Sequence, residues 1–114
     1  MKVVTLNKNK EFHRVYNRGK SYVSPLLVTY VFKRKYDTPR VGITTGKKIG
    51  KAVKRNRARR VIMAAYRELY PRIDGRYDIV FVARGKTANS NVKSHDVLHH
   101  MEKQLRKAGV ITKC

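Results

Sequence analysis

Two stretches decide the fold: Ala58-Arg59-Arg60-Val61-Ile62-Met63-Ala64-Ala65-Tyr66-Arg67-Glu68-Leu69-Tyr70 and, a few residues on, Tyr77-Asp78-Ile79-Val80-Phe81-Val82-Ala83. In the first, Ala58, Val61, Ile62, Ala65 and Leu69 recur at helical spacing and form one apolar stripe. The spacing predicts a long helix from roughly Ala52 to Tyr70, stopped by Pro71 and Gly75. The second is continuously apolar from Ile79 to Ala83 and, taken from Tyr77, has the length of a strand. It reads as a central strand buried on both faces.

Working outward, Leu6 and Asn7 read as the staple and cap of a short first helix. Its inner face carries Phe12, Val15 and Tyr16, and Gly19 suits its C-terminal end. Ser21–Val23 reads as a short strand before Pro25. Leu26–Arg34 is β-branched and aromatic, and its alternation places Leu26, Val28, Tyr30 and Phe32 on one face. Asp37-Thr38-Pro39 reads as a turn and Arg40–Thr45 as the next strand. Toward the end, Asn89–Asn91 offers caps for a last helix. Its core face is Leu98, Met101, Leu105 and Ala108, and Gly109 ends it. The expected order is α-β-β-β-α-β-α, a small α+β sandwich formed by one domain over residues 1–114.

Charge narrows the function. The chain has 28 Lys and Arg against 7 Asp and Glu, a net charge of +21. Such like charge repels itself, and a polyanionic partner that neutralises it is the economical reason to carry it. A membrane is a poor candidate, because Leu26–Phe32 and Ile79–Ala83 are far shorter than the about 20 apolar residues a spanning helix needs. No N-terminal apolar stretch resembles a secretory signal. The lone cysteine, Cys114, has no partner for an internal disulfide, and the cytoplasm is the expected compartment.

The charge concentrates in Lys47–Arg60, which holds Lys47, Lys48, Lys51, Lys54, Arg55, Arg57, Arg59 and Arg60 and no acid. Projected as a helix, Asn56, Arg57, Arg60 and Arg67 fall within about 80° of the pole opposite the apolar stripe. Lys54 and Arg55 border the stripe, so their aliphatic stems can pack while the charges stay wet. Guanidinium groups match phosphate oxygens bidentately and stack on bases. Charge alone does not separate RNA from DNA.

The run Lys47-Lys48-Ile49-Gly50-Lys51-Ala52-Val53-Lys54-Arg55-Asn56-Arg57-Ala58-Arg59-Arg60 resembles the signature of the bacterial ribonuclease P protein subunit, an Arg-Asn-Arg helix preceded by Lys-Lys-x-Gly. The early Phe-x-x-x-aromatic helix, the Val-Gly strand before the motif and Asp78–Arg84 are similar to that family too, and the likeness runs from about Leu6 to Ala108. Gly46 stands where a Ser or similar residue is expected, and Met63 where many relatives carry a basic residue. The resemblance implies an accessory subunit of an RNA enzyme that removes the 5′ leader of precursor tRNA. It implies that catalysis and the activating Mg2+ belong to the RNA, with no cofactor held by the protein alone. Catalytic RNA and precursor tRNA are then the partners, with no DNA and no membrane. By resemblance, the Arg-Asn-Arg helix and its loop touch the catalytic RNA, and a cleft beside the first helix holds the leader. The crossover through that helix is expected to be left-handed on resemblance alone, against the general rule.

The residues agree with that division. Phe12 and Tyr16 share a helix face that Tyr30 can oppose, and aromatic platforms beside cations suit a single strand. Arg14, Lys20 and Lys33 are the nearby charges expected to serve it. Core packing is an equal reading for Phe12. His95 and His99 have metal-binding spacing without a convincing third ligand, so a solvated pair is expected. Gly42–Lys47 lacks the spacing and the Ser or Thr of a phosphate loop. Asp74, Asp78 and Asp96 are too scattered for a two-carboxylate nuclease centre. A ribosomal-type structural component is the alternative that charge and size also suit.

Overall fold

The computed structural model describes residues 3–34, 38–89 and 91–111. At its centre is β5 (Tyr77–Ala83), whose Ile79, Val80 and Phe81 are wholly buried. β5 pairs in parallel with β4 (Arg40–Thr44) and antiparallel with β3 (Leu27–Lys33). β2 (Lys20–Val23) adds antiparallel to β3, and a two-residue β1 (Val4–Thr5) adds parallel to β4. The sheet order is β1-β4-β5-β3-β2. The helices are α1 (Asn9–Arg18), α2 (Ala52–Leu69) and α3 (Ser94–Lys107). The α+β sandwich is as expected, with β1 added; two residues carry too little periodicity to be read.

The register sorts the sheet into two faces, because residues directly opposite on paired strands point the same way. Leu27, Thr29 and Val31 lie with Ile79, Phe81, Val41 and Ile43 under α2 and α3, in the main core. Tyr30, Phe32, Val80 and Val82 lie on the other face with Phe12, Val15 and Tyr16 of α1. The strand therefore starts one residue later than read. Leu26 precedes β3 and is buried in the main core, not on the face of Val28, Tyr30 and Phe32. Tyr66, absent from the expected stripe, is fully buried and stacks edge-on against Phe81. Its ring widens the apolar face of α2 beyond the aliphatic positions.

Local chemistry explains the other differences. Lys8, not Asn7, caps α1, and the Glu11 carboxylate accepts the backbone N–H groups of both at 3.0 Å. Gly19 has an ordinary extended φ of −80°. It is glycine because a Cβ there would stand 2.5 Å from the Val15 carbonyl oxygen and 2.7 Å from that of Val31. α3 is capped at Lys93, whose N–H donates to Asp96, while Asn89 forms a turn with Asn91 upstream. α3 buries Val97, Met101, Gln104 and Leu105, with Leu98 and Ala108 only partly covered. Gly109 follows it at φ +81°, the left-handed conformation that ends helices. Of the expected Asp37-Thr38-Pro39 turn, Asp37 lies outside the described residues, and Thr38 and Pro39 lead directly into β4.

Two polar ties hold the layers in place. Asp78 is 1% exposed at the head of β5 and receives Arg34 at 2.5 Å and Arg40 at 2.8 Å. Arg40 also reaches Glu11 at 2.6 Å, which ties α1 to the sheet. On the other face, buried Gln104 accepts the Thr29 hydroxyl and donates to the Tyr22 and Leu27 carbonyls, fixing α3 to β2 and β3.

Candidate nucleic-acid interface

The loop after β4 shows why the Lys-Lys-Ile-Gly order matters. Lys47–Ile49 forms one tight turn, and the Ile49 side chain is buried as its anchor. With Ile49 held, Lys47 and Lys48 are exposed. Gly50 takes φ +131°, where other residues are strained, and redirects the chain into α2 at Lys51. The exposed Lys54 side chain curls over Gly50.

Along α2 the outward line is Val53, Asn56, Arg60, Ala64 and Arg67, all exposed. The helix is anchored beneath by Ala58, Val61, Ile62, Ala65, Tyr66 and Leu69. The projected face therefore survives in Asn56, Arg60 and Arg67. Arg57 differs: it is half-buried and donates to the Val92 carbonyl at 2.8 Å, bracing α2 against the segment before α3. At about 80° from the outer pole it sat on the flank, and the neighbouring carbonyl captured it. Arg59 lies on the opposite flank and reaches the Ile43 carbonyl at 3.0 Å and the Thr45 hydroxyl at 3.2 Å. Arg55 is half-buried, as its place beside the apolar stripe implied.

On the other side of the sheet α1 meets the aromatic residues. The Tyr16 and Tyr30 rings stand edge to face with centroids 5.0 Å apart. The Tyr16 hydroxyl bonds the Thr44 hydroxyl at 2.8 Å, which fixes the ring across β4, β5 and β3. Phe12 lies 6.5 Å from Tyr16, against Gly42, where a Cβ would come within 2.4 Å of its ring. Beyond Tyr16 the next row of the same sheet face is Thr44, Val82, Val28 and Val23, and α1 leaves it partly open. Strict alternation from Tyr30 points to Val28 and is the sequence signal for that row. Arg84 and Lys86, directly after β5, border a hollow beside Val23 and supply charge there.

The cations expected in this cleft are elsewhere. Lys20 pairs with Val31, and Lys33 shares the Val31 parity, so both belong to the opposite sheet face. Arg14 is exposed on the solvent side of α1, with Lys10 and His13. Helix position and strand parity, not sequence proximity, separate these three from the tyrosines. His95 lies 3.5 Å from Asp96, and the described residues hold no group of three or more His, Cys, Asp or Glu side chains placed for a metal.

The ribonuclease P family model matches residues 1–109 of this chain. The chain belongs to the ribonuclease P protein family. It is 42% identical over 111 residues to a ribonuclease P protein component of Clostridium botulinum, covering 96% of this chain and 98% of that one. It is 46% identical over 92 residues to the component from Clostridioides difficile, covering 80% and 81%. The Staphylococcus aureus RNase P protein superposes with a TM-score of 0.83 at 29% identity, covering 97% of this chain and 100% of that one. The Thermotoga maritima RNase P protein gives 0.80 at 27%, covering 90% and 96%. A ribonuclease P protein component is an RNA-binding part of a ribonucleoprotein endonuclease for tRNA processing, which sets aside the ribosomal-type alternative. No helix among the described residues is long and apolar enough to cross a membrane.

Proposed function

We propose that this chain divides its two sheet faces between two RNAs. The α2 edge, with Lys47, Lys48, Lys51, Lys54, Asn56, Arg60 and Arg67, holds the catalytic RNA. The α1 cleft holds the single-stranded 5′ leader of precursor tRNA. The chain thereby assists hydrolysis at the 5′ end, while the phosphoryl chemistry and its Mg2+ rest with the RNA. The observation that carries the reading is the placement of an exposed Asn-Arg-Arg line and a fixed tyrosine pair on different layers.

Each half follows from elementary chemistry. Exposed Arg and Lys on a core-anchored helix meet phosphates at little ordering cost and displace condensed counterions. Tyr16 and Tyr30 offer aromatic surface beside the apolar row of Val28 and Val82. A base can stack there whatever its identity. Phe12 serves this cleft by seating α1 on Gly42. Arg59, Arg84 and Lys86 are the cations placed to neutralise a backbone running along that row.

Reconstitution tests the proposal. The purified protein, added to the catalytic RNA and precursor tRNA at low Mg2+, is expected to raise the rate of 5′ cleavage. No gain over RNA alone would refute it, as would cleavage by the protein without RNA.

A further inference from the structure

Lys20 and Lys33, displaced from the α1 cleft, are part of a second basic groove. One hollow, of about 320 Å³, is bordered by Arg18, Lys20 and Lys33; the next, of about 480 Å³, by His100, Lys103 and Lys107. Tyr22 borders both, so the two form one channel along β2 and α3. The floor is rigid, because the buried Gln104 amide clamps α3 to the Tyr22 and Leu27 carbonyls. β2 is the last strand of the sheet, three places from β4, or about 14 Å away at normal strand spacing. The channel therefore lies across the molecule from the loop that leads into α2.

In a chain of net charge +21, a basic hollow alone says little; what singles this one out is that cations from α1, β2, β3 and α3 converge on a floor the Gln104 amide holds rigid. Among the described residues, Glu11 and Asp78 engage Arg34 and Arg40, Glu102 engages Arg72 and Arg106, and Asp74 engages Arg76. No acid borders the channel, and no ion pair among the described residues involves Arg18, Lys20, Lys33, Lys103 or Lys107. Five cations line one groove without a counter-charge, around a half-buried tyrosine. A flexible polyanion with bases that can stack matches that combination.

We propose that the β2–α3 channel binds a second stretch of RNA backbone, so that one copy of the chain bridges two RNA segments, one at α2 and one at the β2 edge of its sheet. This rests on the reading of α2 as an RNA-binding edge, and one experiment reports on both. Lysine acylation is followed by mass spectrometry in the free protein, in its complex with catalytic RNA, and in that complex with precursor tRNA added. Protection of Lys47, Lys48, Lys51 and Lys54 reports on the α2 edge. Protection of Lys20, Lys33, Lys103 and Lys107 reports on the channel, and the step at which it appears identifies which RNA lies there. Channel lysines as reactive in the full complex as in free protein would overturn the proposal. So would their protection by anionic phospholipid vesicles but not by RNA. Loss of protection at the α2 lysines alone would instead count against the function proposed above.

A triple variant gives the quantitative check. Lys20→Gln/Lys103→Gln/Lys107→Gln is expected to weaken assembly of the full complex by about tenfold or more at moderate salt. It should also flatten the slope of log affinity against log salt by about 2, at about 0.7 per lost phosphate contact of a single strand. Lys10→Gln/Arg76→Gln/Lys93→Gln removes as many exposed charges outside the channel. Equal effects of the two variants would show a general charge effect and overturn the assignment.

Discussion

Gly42 is where α1 meets the sheet most closely. Any Cβ there would strike the Phe12 ring, so Gly42→Ala must push Phe12, and α1 with it, off β4. The expected cost is about 1–3 kcal/mol of stability, as for other overpacked contacts, measured by urea unfolding. An unchanged midpoint would show that the ring moves freely. Glu11 makes the same junction sensitive to pH. Its carboxyl is held below the ordinary carboxylate value, first by the Lys8 backbone N–H, then by that of Asn7, with Arg40 adding to them. A lowered folded pKa means that this stabilisation is complete above the ordinary Glu pKa and is lost as pH falls through the lowered value. Unfolding midpoints should therefore drop on acidification, and Glu11→Gln should remove part of that drop. Identical pH profiles for the two proteins would contradict the tie. Neither contact was legible in the sequence. Gly42 resembled any strand glycine, and Glu11 declared itself only once Lys8 and Arg40 were placed in space.

At the scale of elements, α2 was the most legible part of the chain, because its apolar spacing and its basic outer positions agree. Its flanks were not legible. Arg57 and Arg59 sit on the flanks of the helix, where other segments bring the Val92, Ile43 and Thr45 oxygens within their reach. Arg60→Ala/Arg67→Ala should accordingly leave stability nearly unchanged and weaken catalytic-RNA binding with a flatter salt slope. Arg57→Ala should lower stability by about 1–3 kcal/mol through the unpaired Val92 carbonyl. Filter binding over a salt series, beside urea unfolding, separates the two; a larger stability loss in the Arg60/Arg67 variant would reverse the assignment. The strands were legible as strands but not in parity. Reading β3 from Leu26 mixed its two faces, and the register with β5 and β2 was needed to move Lys20 and Lys33 away from Tyr30.

For the whole molecule, the layers follow from one buried strand and the helices that cover it. Net charge points to the class of partner without locating any site. What the sequence alone did not convey is that the cations occupy distinct edges, because that depends on strand order, and strand order leaves no periodic trace. The division proposed between an α2 edge for the catalytic RNA and an α1 cleft for the leader is a property of the whole molecule. The most direct measurement is the affinity of the reconstituted complex for precursor and for mature tRNA when the protein carries Tyr16→Ala/Tyr30→Ala. With stacking worth about 1–3 kcal/mol per base, precursor binding should fall by roughly tenfold or more. Mature tRNA binding and protein–RNA assembly should stay within about twofold of the unaltered complex. Equal losses for precursor and mature tRNA would contradict the account.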